Sequence, residues 1–206
     1  QLRKMHLARD NAAAFTLDKM HAMVDRDERQ IHSLIRLIED MLDVSRIRTG
    51  KLSIRPARFD LTQLVRNLLE NFAPQVAAAE SSIQLEAQGP VEGSWDEFRI
   101  EQVVSNLLTN ALRYGAKSPV EVRVYSEQGM ARIEVRDHGI GISADNQKRI
   151  FQQFERVSAS HVAAGLGLGL FISEQIVAAH SGTIEVESQI GEGALFRVCL
   201  PLEASL

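Results

Sequence analysis

The sequence predicts an α+β fold, a two-layer α/β sandwich preceded by a long amphipathic helix. Two observations carry this reading. From Ala12 to Thr49 there is no Pro or Gly, and Leu17, Met20, Val24, Ile31, Leu34, Ile35, Ile38 and Leu42 recur with near-heptad spacing. Beyond Gly50, alternating segments and amphipathic segments follow one another without regular strand–helix alternation, which favours a sandwich over a parallel doubly wound sheet. The 206 residues, 45% of them hydrophobic, suffice for a real core and for one to two domains at about 150 residues each.

In order along the chain, Gln1–Arg9 has helix-type spacing (Leu2 and Met5 on one side, Arg3, Lys4 and Arg9 outward). Asp10-Asn11 then offers a turn and an N-cap for a second helix over about 12–49. Arg46 and Arg48 suit the negative end of that helix, and Gly50 the left-handed residue after it. At about 1.5 Å per residue this is a rod of roughly 57 Å. Such a rod cannot cover its stripe against its own globule and calls for a helical partner, most simply a second copy. Lys51–Phe59 then alternates as a strand, and Asp60 caps a helix to about Ala79. Ser82–Ala87 is a strand, and Asp96 opens an amphipathic helix closing near Tyr114-Gly115. Val120–Ser126 and Met130–Arg136 form a hairpin about Gln128-Gly129. A helix over about 167–180 and two strands, Thr183–Ser188 and Leu195–Leu200, flanking Gly191-Glu-Gly193 complete the pattern.

Composition excludes several classes. Lys plus Arg number 23 and Asp plus Glu 27, a net charge of −4, which argues against a general nucleic-acid or anionic-membrane binder. Cys199 is alone, so no internal disulfide and no Cys-based zinc site is expected, and a reducing, cytoplasmic setting fits. No apolar run reaches the roughly 18 residues of a membrane span, so no membrane contact is expected of this segment. The opening at Gln1, inside an amphipathic pattern, reads as a fragment.

Four segments could carry chemistry. Asn106 and Asn110, four apart, share a helix face with Arg113 nearly in line and Tyr114 beside it. Amide oxygens suit Mg²⁺ and a guanidinium suits phosphate, although two solvent-facing amides on an ordinary helix fit the same pattern. Asp137-His-Gly139-Ile-Gly141 follows an apolar strand. It is either a carboxylate placed to accept from an amine such as adenine's, or a turn in which Asp137 bonds its own backbone. Gly165-Leu166-Gly167-Leu168-Gly169 opens an apolar helix, either as an anion-binding cradle or as a hinge. Phe151 and Phe154 read as core or hinge packing before a weakly patterned lid over 157–164, with Arg156 either a surface charge or a phosphate contact.

In order and spacing, these segments closely resemble the N, G1, F and G2 boxes of two-component sensor histidine kinases. Ala179-His-Ser-Gly182 and Gly191-Glu-Gly193-Ala-Leu-Phe196 through Leu200-Pro201 resemble the family's catalytic-domain ending, and Leu37–Ile47 is similar to the second helix of its dimerisation domain. The resemblance implies the Bergerat ATP-binding fold over 51–206. It makes 1–50 part of a dimerising, phosphotransferring helical hairpin with a truncated first helix. It implies ATP and Mg²⁺ as cofactors, with Asn110 on the metal, Asn106 beside the phosphates, Arg113 and Arg156 on phosphate, and Tyr114 walling the nucleotide. Asp137 would read the adenine amine above Gly139 and Gly141, and the 165–169 run, Leu166 and Leu168 included, would hold the triphosphate. The implied partners are a second copy through the N-terminal helices and the receiver domain of a response regulator.

Two positions depart from the family pattern. None of His6, His21, His32, His138, His161 and His180 stands in a His-(Glu/Asp)-x-x-x-Pro context, so the phosphoacceptor is expected before Gln1, with His32 as the fallback. Leu166 replaces the Thr or Ser common in the glycine run. Asn106 further separates transfer from hydrolysis, because gyrase-like relatives place there a Glu that activates water and an amide is no base.

Overall fold

A computed structural model describes residues 16–115, 117–155 and 166–203. Contacts divide the chain into two units after Leu42. The first expected helix, over 1–9, and the Asp10-Asn11 turn lie outside the described residues.

Helix α1 spans Leu17–Arg48, with Arg46 and Arg48 in its last turn as the helix dipole favours. Its end is a Schellman motif: Gly50 donates to the Ile47 carbonyl at 3.0 Å and Lys51 to the Arg46 carbonyl at 2.8 Å, with Gly50 at φ +64°. The stripe read from the sequence is exposed along the helix, from 41% at Met20 to 69% at Leu17.

The second unit, Asp43–Leu206, holds two sheets. The larger joins β2 (Ile83–Ala87), β4 (Val120–Glu127), β5 (Met130–Asp137), β7 (Ala194–Pro201) and β6 (Thr183–Ser188) in that spatial order. The β2–β4 pair is parallel and the others are antiparallel. The β4–β5 hairpin turns on Gln128 and Gly129, both at positive φ, the twist a two-residue loop needs.

Side-chain alternation sorts the sheet into two faces. Val122, Val124, Ile133, Val135, Phe196 and Val198 are buried against helices α2 (Leu61–Ala78), α3 (Glu97–Tyr114) and α5 (Gly169–Ala179). Those helices contribute Val65, Leu107, Leu108, Ile172 and Ile176, all at 0% exposure. The other face is laced with charge. Glu134 accepts from Arg197 at 2.8 Å and from Tyr125 at 3.1 Å, and these bonds outweigh burial and hold its carboxyl below the ordinary range. The two layers are the predicted sandwich.

A short ribbon of β1 (Ala57–Asp60) and β3 (Glu92–Trp95) completes the core. Trp95 is 1% exposed, packs edge-on to Phe59 and donates its indole N–H to the Pro201 carbonyl at 2.8 Å. Here the structure corrects the sequence reading. Of the expected 51–59 strand only 57–59 pairs, the strand then running on to Asp60, because its partner β3, which the sequence did not suggest, is four residues long. The short helix α4 (Ala144–Gln147) was likewise not expected. Helix α5 starts at Gly169 rather than 167, since Gly167 lies at φ +69°, where no helix continues.

Two caps behave as read. Asp60 accepts from Thr62 N at 2.9 Å and Asp96 from Arg99 N at 3.2 Å. Asp96 is itself held, its own N–H donating to Nε2 of the buried His180 at 3.0 Å.

Candidate functional site

The site begins with α3, whose buried face (Ile100, Val103, Val104, Leu107, Leu108, Ala111) turns the opposite stripe of Asn106 and Asn110 outward to half-burial. Arg113 is exposed one turn further on, and Tyr114 is half-buried at the helix end. Asn106 meets α5: its Nδ2 lies 3.3 Å from the Gly169 carbonyl and 3.4 Å from Ser173 Oγ.

At its N-terminus α5 has no side-chain cap hydrogen bond. The first main-chain N–H groups of a helix have no partner within it and carry the positive end of its dipole, so this end favours an anion. Leu168 is 2% exposed and Leu166 packs against the core, so at both positions a ligand is offered main chain, not side chain. The left-handed Gly167 sits against the Glu155 carbonyl, and its own carbonyl accepts from Phe154 N at 3.1 Å. Phe151 packs on the core as expected. Phe154 does not: at φ +63° its ring turns outward to 60% exposure. Arg156 and Gly165 lie outside the described residues, as do His6 and His161.

Asp137 ends β5 at 5% exposure, and its Oδ1 accepts from Gly139 N at 2.9 Å. The self-bonded turn is therefore real, and it leaves the carboxylate acceptor capacity to spare. Burial, the larger effect, pushes its pKa up against the pull of the Gly139 and Ala194 amides. The loop after it is wedged tightly. A side chain at Gly139 would overlap the Tyr114 carbonyl, which accepts from Ile140 N at 3.3 Å, and one at Gly141 would overlap the Gln189 carbonyl. The end of α3, the Asp137 loop and the turn before β7 thus come together.

Of the other histidines, His138 pairs with Glu121 at 3.0 Å, and His180 is buried with Nδ1 facing the Ile176 carbonyl at 2.8 Å. His21 is exposed on α1; the side chain of His32 lies outside the described residues. No described helix is long and apolar enough to cross a membrane.

Residues 95–204, which contain the buried carboxylate, both amides and the start of α5, match the family described as histidine kinase-, DNA gyrase B-, and HSP90-like ATPases. The chain belongs to this family. Within it the relatives are sensor histidine kinases. RppB of Synechocystis is 35% identical over 92% of this chain, and RcsC of Escherichia coli is 33% identical over 82%. This chain spans 44% of RppB and 18% of RcsC, so it corresponds to the kinase core of longer proteins.

Solved structures agree on the fold. Acinetobacter baumannii histidine kinase AdeS superposes with a TM-score of 0.74 at 23% identity, covering 97% of this chain and 91% of that one. Full-length ShkA, in complex with AMPPNP, has a TM-score of 0.77 at 26% identity over 93% of this chain and 40% of its own. The expected two-layer fold of a histidine kinase catalytic domain is the one observed.

Ser173, which the structure places against Asn106, was not among the residues the sequence singled out. A hydroxyl four residues after Gly169, directly behind the apolar Leu170–Ile172, was the one signal for Ser173.

Proposed function

We propose that this kinase core binds ATP with Mg²⁺ between α3 and the glycine-rich segments and transfers the γ-phosphate to a histidine of a dimerisation domain, for relay to a response regulator's receiver domain. The observation that carries this reading is the contact of Asn106 on α3 with Gly169 and Ser173 at the start of α5, together with the packing of the C-terminal end of α3 against the loop of the buried Asp137. The donor set fits the cofactor. Asn110 offers a hard oxygen to Mg²⁺, the α5 amides and Arg113 suit phosphate oxygens, and Asp137 accepts from the adenine amine while Tyr114 walls the base. Arg156 and the main chain of 165–169 would complete the phosphate contacts. Mg²⁺ supplies charge neutralisation on the phosphates; the protein's task is positioning.

In this reading residues 51–206 are the catalytic domain and 1–50 part of the helical hairpin, dimerising through the α1 stripe in the cytoplasm. None of the histidines within 1–206 is the acceptor in this reading. The amide at Asn106 favours transfer over hydrolysis, so ATP turnover by the chain alone should stay below the roughly 1 s⁻¹ of a slow enzyme.

Isothermal calorimetry tests the proposal. Mg·ATP should bind the wild type, and Asn110→Ala and Asp137→Ala should each abolish the heat while the circular dichroism spectrum is unchanged. Unchanged affinity in both variants would overturn the site assignment. Absence of wild-type binding would favour the second reading, a signalling scaffold without a working nucleotide site.

A further inference from the structure

Gly169 and Ser173 lie one turn apart on the face of α5 that meets Asn106. The Gly169 carbonyl, 3.3 Å from Asn106 Nδ2, can only accept, so chemistry requires the nitrogen of the amide to face α5. Ser173 Oγ, at 3.4 Å, receives the same nitrogen. Its residue is 0% exposed beside Ile172, Ile176 and Val177, surroundings in which a hydroxyl without a partner is costly. Gly169 adds a steric condition. It is helical and needs no left-handed freedom, and a Cβ there would stand 3.4 Å from both Cγ and Oδ1 of Asn106, in direct van der Waals contact with the amide.

We propose that Gly169 and Ser173 form a seat for the Asn106 amide: the Gly169 carbonyl, an acceptor only, commits the nitrogen to α5, Ser173 is a positioning residue that supplies it a second acceptor, and the oxygen is left as the group Asn106 presents to a ligand. This rests on the nucleotide reading above and refines it. An acceptor oxygen serves a hard cation or a water bound to it, and it repels phosphate oxygens; Asn106 therefore addresses the hydrated metal rather than the phosphates themselves. Gly169 thus brings the start of α5 close against the Asn106 amide.

The test uses the full chain and separates the two claims. In nucleotide-free protein, the Asn106 side-chain amide hydrogens should exchange slowly with solvent by NMR, and Ser173→Ala should remove that protection. Ser173→Ala should also weaken Mg·ATP binding about three- to tenfold, the worth of one ordinary hydrogen bond, while adenosine affinity stays unchanged. In an Asn106→Ala background the same substitution should change nothing further. Equal weakening of adenosine and Mg·ATP, or an effect that persists without Asn106, would mark Ser173 as merely structural and overturn the seat. If the wild type bound no nucleotide, the proposed function would fall, and the exchange measurement would still decide the seat. Protection retained in Ser173→Ala would refute it; protection lost would sustain it.

Discussion

At the scale of single residues, Asp137 would do two jobs in tension under the proposed function. Burial raises its pKa above the ordinary carboxylate value, so ionisation costs the free protein something that a bound amine donor returns. The sign follows. On acidification the carboxyl is protonated earlier than an exposed Asp and loses acceptor character, so adenosine affinity should fall at a higher pH than an ordinary Asp would produce. An affinity profile by calorimetry, compared with Asn110→Ala, whose base contact is intact, checks this. His180 carries structure instead. Its Nε2 accepts from Asp96 N and its Nδ1 donates to the Ile176 carbonyl, which defines one neutral tautomer. Replacing it with Leu strands a buried N–H at the N-cap of the helix that bears both site amides. The expected cost is about 1–3 kcal/mol in denaturant unfolding. The structural role of His180 was not legible in the sequence, because both its partners are backbone groups, one of them on another element.

At the scale of elements, the tail of α1 is tied to α3 by a buried cluster. Asp43 Oδ2 accepts from Arg99 at 2.7 Å and from Gln102 at 2.9 Å, with the side chains of the ion pair only 5% and 10% exposed. Burial alone would raise the Asp43 carboxyl; the bonds from Arg99 and Gln102 and the Arg99 charge win, and its pKa is lowered. The stabilisation is therefore present above the unfolded value and lost as pH falls through the folded one. Asp43→Ala leaves the Arg99 charge buried and should cost about 3–5 kcal/mol, whereas the apolar double substitution, Asp43→Leu with Arg99→Met, should recover most of it. Thermal melts of the wild type and the two variants decide the matter. Asp43 and Arg99 stand 56 positions apart in the chain, and no local pattern pairs them. Capping, by contrast, was legible: Asp60 and Asp96 act within three residues of themselves.

At the scale of the whole molecule, the exposed stripe of α1 is the feature a monomer explains least. Large exposed apolar surface at near-heptad spacing is what a helical partner covers. Sedimentation of the wild type should show a dimer at micromolar concentration. Ile31→Asp together with Ile38→Asp should give monomer while leaving Mg·ATP affinity unchanged, since neither residue belongs to the nucleotide site. The sequence by itself determined most of the periodic elements, the caps and the turn glycines, and it singled out the candidate site residues of α3, β5 and the glycine run, because each follows from a short-range rule: helical or strand period, a cap within one turn, a backbone angle. Tertiary structure alone decided the pairing of β1 with the unforeseen β3, the outward ring of Phe154, the Asp43–Arg99 tie and the meeting of Ser173 with Asn106. Those depend on which surfaces the sheet brings together across tens of residues, and a one-dimensional pattern carries no term for that.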